Sequence, residues 1–241
     1  MKLAFISDIH GNSVALDAVL EDIREQSVDQ IYVLGDLCYR GPDPKGSLER
    51  IRALQTKVIK GNADEWVVRG VGQGEVADQV LGLMNRERDW TVSRLEAQDI
   101  EYLNGLPTGL ELEAEGVSIS AFHAAPDSLF DIILPDAGED VLKSRLMSAA
   151  EADIYIYAHI HKPYIRYIEG KVLINIGSVG LPFDGLAKAS YAIVEVEKGG
   201  IRTSIERVPF DIGEVIRQYE AGQYPNTEMM ARILRNARVK Q

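Results

Sequence analysis

Three short apolar runs in the first sixty residues each end at once in a polar stretch accompanied by glycine, and this pattern constrains the fold most. Leu3 to Ser7 runs into Asp8-Ile9-His10, Gln30 to Leu34 into Gly35-Asp36, and Lys57 to Lys60 into Gly61-Asn62. Apolar runs of this length are consistent with buried strands. Between the first two, Leu16, Val19, Leu20 and Ile23 recur at the i, i+3, i+4, i+7 spacing of an amphipathic helix, and another helix is expected after Pro44. Alternation of this kind predicts an α/β sheet with parallel central strands and crossover helices. Open α/β sheets bind ligands just outside the carboxyl ends of their strands, where the polar stretches fall.

Residues 65–105 read as mostly helical, with Val76, Val80, Leu83 and Met84 along one stripe, a core face or a cap packed beside the site. From 108 the pattern turns to hairpins. Leu110, Leu112 and Ala114 alternate with polar residues, as do Val117, Ile119 and Ala121 across Glu115-Gly116. Similar pairs flank Glu169-Gly170 and Gly199-Gly200, a helix is expected over about 138–150, and two more after about 211. With no internal repeat or low-complexity linker, residues 1–241 are expected to form a single domain.

Composition excludes several classes of function. The net charge of −11 argues against an extended nucleic-acid surface, which needs a basic face. A small phosphorylated substrate stays open, because a local cluster of cations can outweigh the average charge. No apolar run approaches the roughly 20 residues that span a bilayer, and no signal-peptide pattern is visible. The lone cysteine, Cys38, cannot form an intrachain disulfide, so a cytoplasmic location is expected. Homo-oligomerisation is compatible with the sequence and cannot be derived from it.

The chemistry concentrates in Asp8, His10, Asp36, Asn62, His123, His159 and His161. The chain has four histidines, and all four belong to this set. In Asp8-x-His10 and His159-x-His161, two ligands one residue apart are expected to project to the same side of an extended segment. Imidazole with carboxylate suits manganese, iron, zinc, cobalt or nickel, whereas magnesium and calcium prefer oxygen shells. Seven donors exceed what one transition ion with an open position takes. They suit two ions about 3.5–4 Å apart that share a carboxylate.

In this ordered set the chain resembles the calcineurin-like metallophosphoesterase superfamily, from Asp8 to about Tyr191. Asn175-Ile176-Gly177-Ser178-Val179-Gly180 and Ala189-Ser190-Tyr191-Ala192 bring it nearest to the small prokaryotic phosphoesterases. The resemblance implies a four-layer α/β/β/α sandwich of two mixed sheets flanked by helices. It implies one ion on Asp8, His10 and His161, another on Asn62, His123 and His159, with Asp36 bridging, and two divalent cations per chain, manganese first. It further implies hydrolysis of phosphodiesters, and of activated phosphomonoesters, by a bridging hydroxide on a small, nucleotide-like substrate. With two carboxylates and that hydroxide, about one net positive charge is left to attract phosphate.

Arg40 lies four residues after Asp36, where an arginine grips the phosphate in the related protein phosphatases. A planar guanidinium suits that role. Asp36, Asn62 and Arg40 are thus the candidate catalytic residues. The chain departs from the family's Gly-Asn-His-Asp/Glu pattern, reading Gly61-Asn62-Ala63-Asp64. The histidine that helps protonate the leaving oxygen is absent, which disfavours poorly activated monoesters. Asp64 is a candidate for orienting a neighbouring ligand, and Gly177-Ser178-Val179-Gly180 reads as a tight turn. Two other readings of the resemblance are a phosphatase for phosphoproteins or dinucleoside polyphosphates and, contrary to the full ligand set, a non-catalytic interaction scaffold.

Overall fold

The computed structural model describes residues 1–148, 151–197 and 200–239. Strand β1 (Lys2–Ile6) pairs in parallel with β2 (Gln30–Val33) and antiparallel with β8 (Ala189–Glu197), which pairs with β9 (Gly200–Val208). The order of this first sheet is β2-β1-β8-β9. The second sheet contains β3 (Gly109–Ala114), β4 (Val117–Phe122), β5 (Ile154–Tyr157), β6 (Tyr164–Ile168) and β7 (Lys171–Asn175), in the order β3-β4-β5-β7-β6. Its central pairs β4–β5 and β5–β7 are parallel and its outer pairs antiparallel. Both sheets are therefore mixed.

Alternation along β1 shows how the layers form. Leu3 and Phe5 point into a core between the two sheets, with Ile119, Ile154, Ile156 and Ile174 opposite them. Ala4 and Ile6 point the other way, into a core with Leu16 and Val19 of α1 (Ser13–Glu25) and Leu48 and Ile51 of α2 (Pro44–Ala53). Burying one such aliphatic side chain contributes about 1.5–3 kcal/mol. On the outer face of the second sheet, Tyr155, Tyr157 and Leu173 pack on Leu142 and Leu146 of α6 (Glu139–Leu146). The four layers are thus helices, sheet, sheet and helix.

The remaining helices gather beside the first sheet. These are α3 (Asn62–Arg69), α4 (Asp78–Val92), α5 (Ala97–Asn104), α7 (Ile212–Ala221) and α8 (Thr227–Asn236). Segment 65–105 is mostly helical as expected, and Val76 and Met84 of its stripe pack against the core, but the stripe is not followed throughout. Val80 is exposed, and α4 turns Leu81, Met84, Glu87 and Thr91 inward. Two of those four are polar, so an apolar periodicity misses them.

The expected strand at Lys57–Lys60 is reduced to one parallel bridge, Val33 to Val58. The chain leaves the sheet edge there because the Lys60 N–H donates to the Pro107 carbonyl at 2.7 Å. Hairpin turns Glu115-Gly116 and Glu169-Gly170 hold positive φ at both residues (50° and 82°, 49° and 80°), the signature of type I′ connections. The third hairpin pairs Glu197 with Gly200, and residues 198–199 lie outside the described residues. The helix expected over 138–150 ends at Leu146, and residues 149–150 also lie outside them.

Candidate metal centre

The polar stretches that follow β1, β2, β4 and β5 converge. Asp8, His10, Asp36 and His161 are buried, and one donor atom of each lies within 4.8 Å of the others. His161 Nε2 stands 3.1 Å from Asp8 Oδ1 and 3.2 Å from His10 Nε2. Beside them, Asn62 Oδ1 lies 3.0 Å from His123 Nε2 and 2.8 Å from His159 Nδ1. Asp36 Oδ2 faces both groups, 3.7 Å from His10 Nε2 and 3.5 Å from His123 Nε2. All seven ligands named from the sequence are brought together.

The route to this convergence differs from the expected one. Asp8, His10, Asp36, His159 and His161 are not extended; their φ values are 51°, 48°, 55°, 65° and 54°. Non-glycine residues held left-handed cost on the order of 1–3 kcal/mol each and persist only where the surroundings over-determine them. Here the surroundings do so. The Asp8 and His10 N–H groups donate to the Gly35 and Asp36 carbonyls, at 3.1 and 2.9 Å. Ser178 Oγ donates to the Asp8 carbonyl at 2.8 Å, so the Asn175–Gly180 stretch braces the first loop rather than cradling phosphate. At Gly61 a Cβ would come within 2.1 Å of Asp36 Oδ1, so only glycine fits between these loops.

Backbone carbonyls set the imidazoles. His10 Nδ1 meets Tyr39 O at 2.9 Å, His123 Nδ1 meets Leu34 O at 2.7 Å, and His161 Nδ1 meets Leu181 O. In the neutral ring, an Nδ1–H that donates outward leaves the Nε2 lone pair facing inward, the form a cation would bind. Asp8 Oδ2 accepts the His159 N–H at 3.2 Å, while the buried Oδ1 has no hydrogen-bond partner. An orphaned carboxylate oxygen ringed by imidazole lone pairs fits a divalent transition cation. As placed, the Asn62 amide sets its oxygen against acceptors and its N–H group against donors. Turned over, its N–H group donates to both rings and to Asp36 Oδ2 at 3.3 Å.

Electrostatics follow from this crowding. Burial alone would raise both carboxyls, but the adjacent imidazoles outweigh it and hold Asp8 well below the usual range and Asp36 below it. Burial disfavours charge on His123, yet Asp36 and Asp8 hold its pKa at about 9. His159 is pushed down to about 4 by burial and by the charge of His123. Asp64 is raised to about 6 by burial and the nearby Asp36. Its carboxylate accepts the backbone N–H groups of Asp36 and Gly61 at 2.8 Å and of Leu37 at 2.9 Å. It orients the two loops, as a ligand-positioning residue should.

Arg40 is placed differently. Among the described residues its guanidinium meets Glu87 Oε2 at 3.3 Å and Met230 Sδ at 3.7 Å, and none of the seven donors. Burial opposes its charge, and the Glu87 carboxylate more than offsets that. Glu87 left no signal in the sequence, and neither did the carbonyls of Leu34, Tyr39 and Leu181, because a backbone acceptor belongs to every residue type. Cys38 is buried and its thiol is pushed up, first by burial, so it is not a nucleophile.

Two mixed sheets between helices, with buried aspartate, histidine and asparagine donors at one end, define a metallophosphoesterase. A family model described as a calcineurin-like phosphoesterase superfamily domain matches residues 1–199. The chain belongs to that superfamily and is a phosphoesterase of it. It is 30% identical to protein MJ0912 of Methanocaldococcus jannaschii, over 92% of this chain and 93% of that one. It is 27% identical to the phosphodiesterase YfcE of Escherichia coli K12, over 81% and 88%. The solved metallophosphoesterase of Sphaerobacter thermophilus superposes with a TM-score of 0.80 at 26% identity, covering 98% and 99%.

Proposed function

We propose that the protein is a phosphodiesterase that works with two divalent cations, manganese first among them. Asp8, His10 and His161 would hold one ion, Asn62, His123 and His159 the other, and Asp36 would bridge both. The observation that carries this reading is the position of Asp36 Oδ2 between His10 Nε2 and His123 Nε2, with Asp8 Oδ1 left unpartnered. Bound cations supply the positive charge that attracts phosphate and the acidity that makes hydroxide available at neutral pH.

The chain's own residues do the rest. Leu34, Tyr39 and Leu181 carbonyls fix the imidazole tautomers, so donors meet the cations without reorganising. Asp64 ties the Asp36 loop to the start of α3. Ala63 stands where a proton-donating histidine is common in the family, so the leaving group must depart with little help. That favours activated esters, aryl diesters included, over simple alkyl monoesters. Arg40 is held by Glu87 and touches none of the seven donors, which makes it the weakest of the candidate catalytic residues. Among the described residues no helix is long and apolar enough to cross a membrane. A single domain, placed in the cytoplasm, accords with the lone buried cysteine. Turnover of a diester and monoester panel by protein of measured metal content tests the reading.

A further inference from the structure

A cavity of about 690 Å³ opens beside His159, within the range of small-molecule sites. Its apolar wall is formed by Ile132, Leu134, Phe183 and Val239. Ile132 is 72% exposed, Val239 51% and Leu134 40%, so three outward-facing aliphatic side chains gather around one opening. Single exposed apolar residues need no explanation, whereas a contiguous group marks a binding surface. The Phe183 ring stacks on His161 with centroids 4.2 Å apart and planes 15° from parallel. The wall is therefore continuous with the candidate metal centre.

Lys162 and Arg238 also line this cavity. Among the described residues neither makes an ion pair or a hydrogen bond. The acid on the lining, Asp184, is taken by Arg207, whose Nη2 lies 3.2 Å from Asp184 Oδ1. Two uncommitted cations beside an apolar wall stand out in a chain of net charge −11. They complement an anion there.

We propose that this cavity receives one ester arm of the substrate, and that the arm is an aromatic group bearing a second negative charge. The inference rests on the phosphodiesterase reading and deepens it: the aromatic face meets Ile132, Leu134 and Phe183, and the charge meets Lys162 and Arg238.

The test uses ethyl, phenyl and 4-carboxyphenyl methylphosphonate, each a singly armed diester mimic. Calorimetric Kd values and inhibition of bis(4-nitrophenyl) phosphate turnover are both read on metal-loaded protein. Phenyl should bind about tenfold tighter than ethyl, from the added apolar area. The carboxylate should add about fivefold, the scale of one exposed ion pair. Lys162→Ala and Arg238→Ala should shrink the carboxylate ratio, and Ile132→Ser with Leu134→Ser the phenyl ratio. Equal affinity for the three probes, or a carboxylate advantage that survives both cation variants, overturns the inference. A change in oligomeric state in Ile132→Ser with unaltered Kd values would assign the wall to a second copy and overturn it as well. Absence of any diester turnover defeats the phosphodiesterase reading instead, while the Kd series still reports on the cavity.

Discussion

The Ala63 N–H donates to Asp36 Oδ1 over 2.8 Å, which leaves Oδ2 as the oxygen facing His10 and His123. The start of α3 thus decides which edge of the carboxylate is free for cations. Asp36→Asn replaces one of the two oxygens by a donor and weakens both sites. We expect loss of bound metal and at least about a 100-fold fall in turnover, beyond what changing a supporting group costs. Metal analysis beside kinetics checks this; full metal content with near-normal turnover would remove the bridge.

Asp64→Asn should act at a distance from the donors. The carboxylate accepts three backbone N–H groups, and an amide must turn its own N–H toward at least one of them. The unsatisfied contact should cost about 1–3 kcal/mol of stability. Metal affinity should fall by about 10–100-fold as the Asp36 loop loosens. Thermal unfolding and metal titration of the variant measure the two effects separately.

Arg40 offers a choice between two outcomes. Arg40→Ala leaves Glu87, whose side chain is 1% exposed, as a buried charge without its partner. Breaking a buried pair from one side costs about 3–5 kcal/mol, whereas replacing both partners with apolar residues is often neutral. The expected result is a destabilised Arg40→Ala protein whose stability returns in the Arg40→Met/Glu87→Leu double variant. A stable Arg40→Ala protein with a raised KM alone would restore the phosphate-gripping role. In either case Arg40→Ala should lose less activity than Asp36→Asn.

Much of this site was legible in the sequence, and the rest was hidden for physical reasons. The seven donors could be named because aspartate, asparagine and histidine at strand ends are rare enough to stand out. How they meet was not legible. Five of them are left-handed, held by carbonyls and carboxylates of neighbouring loops, and Asp8 and His159 carry no local mark of it. The fold followed the apolar alternation wherever that alternation was clean, as in β3 and β4. It failed at α4, where Glu87 and Thr91 face inward, and at Lys60, where the sheet edge is given up to Pro107.

Ala63 also limits what substrate preference can be engineered. Native protein should cleave aryl monoesters well ahead of alkyl ones, by about 10²–10⁴-fold if the whole gap reflects the missing proton donor. Installing the common histidine also loads the core. Ala63 is 1% exposed and sits in the core with Trp66 and Val67, so Ala63→His overpacks that core. A cost of about 1–3 kcal/mol is expected before any catalytic gain. Equal native rates on alkyl and aryl monoesters would contradict the account of the missing histidine.

The central claim is that the gathered aspartates, histidines and Asn62 hold divalent cations without which no phosphoester is cleaved. The direct measurement strips the protein with a chelator, verifies its metal content, and follows bis(4-nitrophenyl) phosphate hydrolysis as manganese is returned. Turnover should vanish in the stripped protein and recover to a plateau near two ions per chain. Full hydrolysis by protein verified as metal-free would contradict the account.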